Sequence, residues 1–311
     1  MKVLITGGAG FIGSTLADRL LGRGEEVLVV DNYATGRRDN LVPRDRLTVV
    51  DGDVAEPGLM AKLAGDFRPD VVAHAAASYK NPEDWEGDAR TNAVGTAAVA
   101  RAAKDAGAKR IVYFQTALCY GVKPQHQPIT LDHPILPGDS SYAISKTAGE
   151  QYIALSGLDY VTFRLANAYG PRNLSGPLPI FFTRLSGGKP CFVVDARRDF
   201  VFVEDMVDCA VGAVDGKGHG AYHLSSGADY AIKELYEAVV QAMRLNDAPD
   251  VEVRPRAADD APTILLDPSR TAKDFGWSVK TPLVEGVRRA IAYYEKFGVQ
   301  ETYTHLKQAK D

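Results

Sequence analysis

The sequence predicts an α/β chain: a doubly wound parallel sheet followed by a smaller C-terminal α/β lobe. Short, continuous apolar runs such as Val3-Leu4-Ile5 and Val27-Leu28-Val29-Val30 carry the mark of strands buried on both faces. These runs alternate with helical stripes, an order that specifies a sheet covered on both sides. The 311 residues also exceed what one small core requires, which leaves room for a second lobe.

The first run leads directly into Gly7-Gly8-Ala9-Gly10-Phe11-Ile12-Gly13. A helix follows, striped by Leu16, Ala17, Leu20 and Leu21, and it ends at the glycines of 22–24. The next strand closes on Asp31, 18 residues after Gly13. Strand, spaced glycines (Gly7, Gly10, Gly13), helix, strand and terminal acid together form a dinucleotide-binding, or Rossmann, unit. The glycines let the backbone approach a pyrophosphate whose charge sits at the positive end of the helix. Asp31 would accept the adenosine ribose hydroxyls and repel a 2'-phosphate, which points to NAD rather than NADP. Arg37 and Arg38 stand against this, since arginines just past the strand are placed to hold such a phosphate.

Further strands are expected at 47–50, 71–75, 111–114 and 161–165, with a helix over 92–106. Ligands in such a sheet sit at the carboxyl ends of strands, where Asp53-Val54, His74-Ala75-Ala76-Ala77 and Gln115-Thr116 fall. The stretch Ser141-Tyr142-Ala143-Ile144-Ser145-Lys146 places Tyr142 and Lys146 one helical turn apart on one face. A phenol ionises near pH ~10, so it serves as a base at neutral pH only if a cation stabilises the phenolate. Lys146 is placed to be that cation.

Beyond Pro171 the pattern loosens. A short helix is expected from 177, with 201–203 returning to the sheet. A strand at 221–225 and helices at 232–243 and 282–297 supply a small cap, the last helix striped by Leu283, Val284, Val287, Ile291 and Tyr294. The expected division is a cofactor domain over 1–170 with a return segment near 198–225, and a substrate lobe over 171–197 and 226–311.

Composition narrows the function. Hydrophobic residues at 45% and charged residues at 24% are ordinary globular values. A net charge of -4 offers no basic surface for nucleic acid. The three cysteines, Cys119, Cys191 and Cys209, fit neither a metal-ligand set nor a disulfide framework, so no metal is expected and a reducing compartment is. The start of the chain does not read as a signal peptide, and no apolar run approaches the ~20 residues of a membrane span. A cytoplasmic protein is expected.

In order and spacing, the glycine loop, Asp31-Asn32, Asp53-Val54, His74-Ala75-Ala76, Asn92, Thr116-Ala117-Leu118-Cys119-Tyr120-Gly121 and Tyr142-x-x-x-Lys146 resemble the extended short-chain dehydrogenase/reductase family. Arg164-Leu165-Ala166-Asn167-Ala168-Tyr169-Gly170-Pro171 and Arg197-Arg198-Asp199-Phe200-Val201-Phe202-Val203-Glu204-Asp205 look like its nucleotide-sugar branch, most closely NAD-dependent epimerases of the UDP-glucose 4-epimerase type. The resemblance implies that Gly7, Gly10, Phe11, Ile12, Gly13, Asp31, Asn32 and Ala75, Ala76 and Ala77 line the NAD site. It implies that Asp53 and Val54 hold the adenine edge, that Asn92 supports the network on the cofactor side, and that Lys146 also holds the nicotinamide ribose. Thr116 would share the sugar oxygen with Tyr142, and Asn167 and Arg198 would hold the nucleotide diphosphate. The family's second clamp arginine is replaced by Ala257, just before Asp260-Ala261-Pro262, so Arg254 or Arg256 is the expected substitute. A homodimer built on the helices at 92–106 and 142–155 is also implied, and the small side chains of Ala97, Ala98, Ala100, Ala102 and Ala103 permit close approach there.

Other residues read as structural. His74 is expected in the core, Cys119 to face away from the chemistry, Arg197 to be a surface charge, and Trp85 and Trp277 to pack. The same fold hosts several reactions. Dehydratases resembling this chain follow the threonine with an acid pair, and decarboxylases keep a glutamate there. Ala117 and Leu118 transfer no proton, which disfavours both. Oxidation at C4 and its reversal remain, with Tyr142 taking the O4 proton as NAD takes the hydride: epimerisation of a UDP-hexose or UDP-hexuronic acid. A nucleotide-sugar 4-ketoreductase, ahead of a 4,6-dehydratase, is the enzymatic alternative, and a non-catalytic nucleotide-binding protein the alternative of another class.

Overall fold

In the computed structural model, which describes residues 1–138, 140–245, 250–256 and 261–303, β1 (Lys2–Thr6) lies mid-sheet with its apolar side chains fully buried. Around it wind α1 (Phe11–Gly22), β2 (Glu26–Asp31), β3 (Leu47–Asp51), α2 (Leu59–Phe67) and β4 (Val71–His74). Then come α3 (Trp85–Asp88), a π-helical turn (Ala89–Gly95), α4 (Thr96–Asp105), β5 (Arg110–Thr116), a short 3-10 turn (Ala117–Tyr120), α5 (Ser141–Leu155) and β6 (Asp159–Leu165). The second half carries β7 (Asn167–Tyr169), α6 (Pro177–Ser186), β8 (Phe192–Val194), β9 (Arg197–Arg198), β10 (Phe200–Phe202), α7 (Val203–Val214) and β11 (Gly220–Leu224). It ends with β12 (Tyr230–Ala231), α8 (Ile232–Ala242), β13 (Glu252–Arg254), α9 (Ser269–Phe275) and α10 (Leu283–Phe297).

Seven strands form one parallel sheet in the order β11-β6-β5-β4-β1-β2-β3. The winding reverses between β1 and β4, whose ends are in register at Thr6 and His74. That reversal opens a crevice at the carboxyl edge, where a ligand fits. One face is packed by α1 and α7 through Leu16, Leu20, Met206 and Ala210, and the other by α2, α4 and α5 through Met60, Val99, Ala103 and Ile153. A separate core joins α6, α8 and α10 to β7, β8 and β10 through Phe181, Leu235, Val239, Val287, Ile291 and Tyr294.

Three expectations fail. Residues 201–203 do not rejoin the main sheet: β10 pairs with β7 alone, and Val203 already begins α7. The buried set Val203, Met206, Val207, Ala210, Ala213 and Val214 has helical spacing, and Glu204 and Asp205 complement the dipole in its first turn. The strand expected in the cap at 221–225 is instead β11, the sheet edge paired with β6. Trp277 packs as expected, its indole N–H donating to the Asp205 carbonyl at 2.7 Å, but Trp85 is 66% exposed. Among the described residues, no helix is long and apolar enough to cross a membrane.

Candidate active site

The glycine loop is shaped by contacts no other residue permits. A Cβ on Gly13 would stand 2.2 Å from the Gly7 carbonyl oxygen, and one on Gly7, whose φ is +68°, would stand 2.5 Å from the Ala76 amide nitrogen. Gly10, the N-cap of α1, differs: a Cβ there would meet only the Gly7 oxygen, at 3.2 Å, and otherwise project into open space. Gly10 brings no capping side chain, so the amides of Phe11 and Ile12 begin a helix whose positive end faces the crevice. This cradle fits the pyrophosphate of a dinucleotide.

Asp31 ends β2 beside the loop, accepting from the Ala9 amide at 2.8 Å and the Tyr33 amide at 2.8 Å. Burial nevertheless raises its pKa above the ordinary carboxylate value. Asn40 donates to the Ala9 carbonyl at 2.9 Å and fixes the same turn. Arg37 is engaged with Asp39 and Arg38 with Asp51, so both arginines that could have received a 2'-phosphate already face carboxylates. Asp53 accepts from the Ala55 amide and pairs with Arg90 at 3.0 Å, with Asn32 beside it and Val54 buried against Gly95. Ala75 continues β4 by donating to Thr6, and Ala76 backs Gly7. His74 is a core residue: Thr6 at 2.5 Å and Thr96 at 2.8 Å occupy its ring nitrogens, and burial drives it down to about 3.

On α5, Ser140 caps the helix by accepting from the Ala143 amide. Tyr142 is half-buried one turn before Lys146, which is wholly enclosed. Asn92, in the π-helical turn, holds the Ser78 backbone at 2.8 Å and 2.9 Å and donates to the Ser145 hydroxyl at 3.0 Å, tying the loop after β4 to α5. Thr116 ends β5, and its hydroxyl accepts from the Leu118 amide at 3.2 Å, capping the 3-10 turn that packs against α5. Gln115 accepts from the Thr116 amide at 2.8 Å and donates to Glu150 at 3.1 Å, while Glu150 binds Arg164 at 2.8 Å. This buried bracket locks the Thr116 strand tip to the Tyr142 helix.

Lys146 does not by itself lower the Tyr142 pKa, contrary to the expectation from spacing. Burial first, and then the Asp88 charge, hold the phenol well above its ordinary value. Burial drives Lys146 down to about 7, with Glu150 opposing the drop, and its ammonium lies 4.0 Å from the Tyr113 ring centre. Cys119 is buried and its thiol is pushed up to about 12, which leaves it inert.

Asn167, on β7, and Arg198, on β9, are linked through Asp199, the residue that follows Arg198. The Asn167 side chain donates to the Asp199 carbonyl at 3.1 Å, and Arg198 reaches the Arg197 and Ala261 carbonyls at 2.8 and 2.9 Å. Arg197 is exposed and paired with Asp229 at 2.8 Å. Of the two substitutes expected for the second clamp, Arg254 pairs with Glu252 at 3.0 Å and lies over the Phe192 ring. Ala257 and Asp260 lie outside the described residues. Among the described residues, no group of three or more His, Cys, Asp or Glu side chains is placed to hold a metal.

The NAD dependent epimerase/dehydratase family matches residues 3–224. This chain belongs to that family. Within it, the chain is 34% identical to a UDP-glucose 4-epimerase of Mycolicibacterium smegmatis, over 94% of this chain and 98% of that protein. The crystal structure of the Bordetella bronchiseptica enzyme WbmH in complex with NAD+ is 60% identical, covers 96% of this chain and 99% of its own, and superposes with a TM-score of 0.93. The same organism's WbmG, solved with NAD and UDP, is 43% identical with a TM-score of 0.89, covering 98% and 97%. The structure also brings in residues that sequence reading passed over. The Tyr79 ring lies beside Tyr142, Asp88 at the end of α3 acts on the same phenol with Ser78 near Asp88, and Tyr303, 224 residues after Tyr79, meets Tyr79.

Proposed function

We propose that this epimerase-family protein interconverts the C4 epimers of a nucleotide sugar, a UDP-hexose or UDP-hexuronic acid, by transient oxidation to the 4-keto sugar. The observation that carries the reading is the buried Gln115–Glu150–Arg164 bracket, which ties the Thr116 end of β5 to the helix that carries Tyr142 and Lys146. When bound, NAD supplies a reversible hydride acceptor and, oxidised, a positive ring charge. Gly7, Gly10, Phe11, Ile12 and Gly13 would hold its pyrophosphate, Asp31 and Asn32 its adenosine ribose, and Asp53 and Val54 its adenine edge. Ala75, Ala76, Ala77 and Asn92 would line the cofactor side, with Lys146 on the second ribose.

Tyr142 takes the O4 proton during oxidation and returns it after the sugar turns over. Its raised pKa suits the return, and a positive charge brought into this enclosed site favours the phenolate for the outward step. Thr116 donates to or accepts from the same oxygen. Asn167 and Arg198 hold the diphosphate while the hexose stays loosely gripped, which the turning step requires. The UDP complex of the 43% identical relative supports the choice of nucleotide. Ala117 and Leu118 occupy the 3-10 turn where dehydration would need an acid and a base, which supports epimerisation. We further propose that the protein works in the cytoplasm as a homodimer.

The test is incubation of purified protein with UDP-, GDP-, CDP- and dTDP-sugars, followed by separation of C4 epimers. A UDP-sugar should isomerise with no net change in nicotinamide absorbance. Net consumption of reduced cofactor, or loss of water from the sugar, would overturn the assignment.

A further inference from the structure

The end of the described chain returns to the active site. The Tyr303 amide donates to the Leu174 carbonyl at 3.1 Å, and its carbonyl accepts from the Gly176 amide at 3.2 Å, so the backbone is pinned on both sides of Ser175. Its hydroxyl lies 3.0 Å from that of Tyr79, with the two rings edge to face at 5.4 Å. The Tyr79 ring is in turn 6.0 Å from the ring of Tyr142. Thr35, in the loop after β2, has its side chain beside the Tyr303 hydroxyl as well. Two residues earlier, Glu301 pairs with Lys80 at 3.0 Å, beside Tyr79.

The three loops joined in this way follow β2 and β4 at the ligand-bearing edge of the main sheet and β7 of the separate β7–β10 pair, and they otherwise belong to distant parts of the sequence. No other described tyrosine ring packs between the Tyr142 ring and a remote segment in this manner. An isolated surface tail would have no reason to spend a tyrosine hydroxyl on a partner that itself flanks the reacting phenol. A reaction that frees a ketosugar to turn inside the site also needs the site closed while it turns.

We propose that Tyr303 is a positioning residue of the epimerisation: it buttresses Tyr79 against Tyr142, and with the Lys80–Glu301 pair it straps the C-terminal segment 298–303 across the loops that retain the ketosugar. This inference rests on the reading given under Proposed function. Without the strap, the 4-keto sugar escapes after the first half-reaction. The C4 hydride then stays on the cofactor, the O4 proton stays with the protein or passes to solvent, and the enzyme is left in the reduced-cofactor form.

Two variants test it against the full chain: Tyr303→Phe, and a chain ended after Val299. Losing one hydrogen bond at the buttress should lower kcat roughly 3- to 10-fold in Tyr303→Phe with KM little changed. The shortened chain should lose more, and reduced nicotinamide should accumulate as UDP-sugar is added. If the shortened chain fails to fold, Tyr303→Phe alone decides, and unchanged kcat there overturns the proposal. An active full chain whose variants match it, without reduced cofactor building up, refutes this inference and leaves the epimerase reading standing. A full chain that turns over no nucleotide sugar refutes both.

Discussion

Tyr142 sits where burial and a buried carboxylate both oppose its ionisation, so the group proposed to move the O4 proton is held mainly as the neutral phenol. Tyr142→Phe keeps the ring and its contact with Tyr79 but removes the exchangeable proton. Turnover should fall within or above the ~10²–10⁴-fold range of general acid/base work, while NAD and UDP-sugar affinities change little. Near-full epimerisation by this variant would remove Tyr142 from the mechanism. Lys146→Met should differ in kind, shifting cofactor retention and pH optimum along with rate, because Lys146 titrates at about 7 and is also placed for the ribose. Asp88 provides a second test. It is almost fully buried, and its carboxylate lies beside Ser78 and Ser141 without reaching good hydrogen-bond geometry to either. Asp88→Asn removes a charge that raises the Tyr142 pKa, so the rise of rate with pH that reports Tyr142 ionisation should move to lower pH. An unmoved profile would mean that Asp88 acts only through packing.

The glycine loop shows how closely an element is tied to its sequence. Gly13→Ala would put a methyl 2.2 Å from a backbone oxygen within the loop and should prevent the β1–α1 turn from forming, seen as insoluble protein or loss of the cooperative melt. Gly10→Ala meets only a 3.2 Å contact and should fold, yet it places its methyl where the pyrophosphate would approach, so thermal stabilisation by added NAD should be lost. Equal behaviour of the two would mean that the loop does not bind the cofactor in this way. Such an element is legible because its chemistry is local: glycines, helix stripe and strand-end acid lie within the first 31 residues. The Tyr142–Lys146 turn is legible for the same reason, being one helical repeat. The failures are non-local. Residues 201–203 look like a strand until the spacing of Met206, Val207 and Ala210 is counted, and even then only tertiary pairing decides that β10 joins β7 rather than the main sheet. The Gln115–Glu150 link and the Tyr79–Tyr303 contact join positions 35 and 224 residues apart, which no window along the chain can connect. The lowering of the Tyr142 pKa expected from Lys146 is absent because spacing reveals proximity and not burial.

At the scale of the whole molecule, buried titratable groups set the acid limb of stability. Burial holds His74 to about 3 and His223 to about 4, against 6.5 unperturbed. Their contribution is complete above 6.5 and is lost as pH falls through their folded values, because the unfolded chain takes up protons first. Asp199, raised to about 6 from 3.8, works in the opposite direction: its contribution is complete below 3.8 and is lost as pH rises through about 6. Urea midpoints should therefore fall from neutral pH to about pH 5, and fall more steeply in Asp199→Asn. An equal slope in the variant would mean that Asp199 does not titrate there.

The same scale carries the proposal of a dimer. On α5, Ile144, Tyr152 and Leu155 lie along one face at 49%, 45% and 77% exposure, and Val94 beside α4 is 58% exposed. The spacing of the three α5 residues, four or a multiple of it and then three, is that of a helical stripe normally turned inward. The alanines are divided: Ala100, Ala102 and Ala103 are spent on the protein's own core, whereas Ala97 and Ala98 stay partly exposed. Since α4 and α5 pack side by side, two copies of this surface meeting about a two-fold axis would bury the stripe in a bundle of four helices. Tyr152→Glu combined with Leu155→Glu, both distant from Tyr142 along the helix, should yield a folded monomer by light scattering while the unmodified chain has the mass of a dimer. A monomeric mass for the unmodified chain at micromolar concentration would exclude the arrangement and leave the apolar stripe to some other partner.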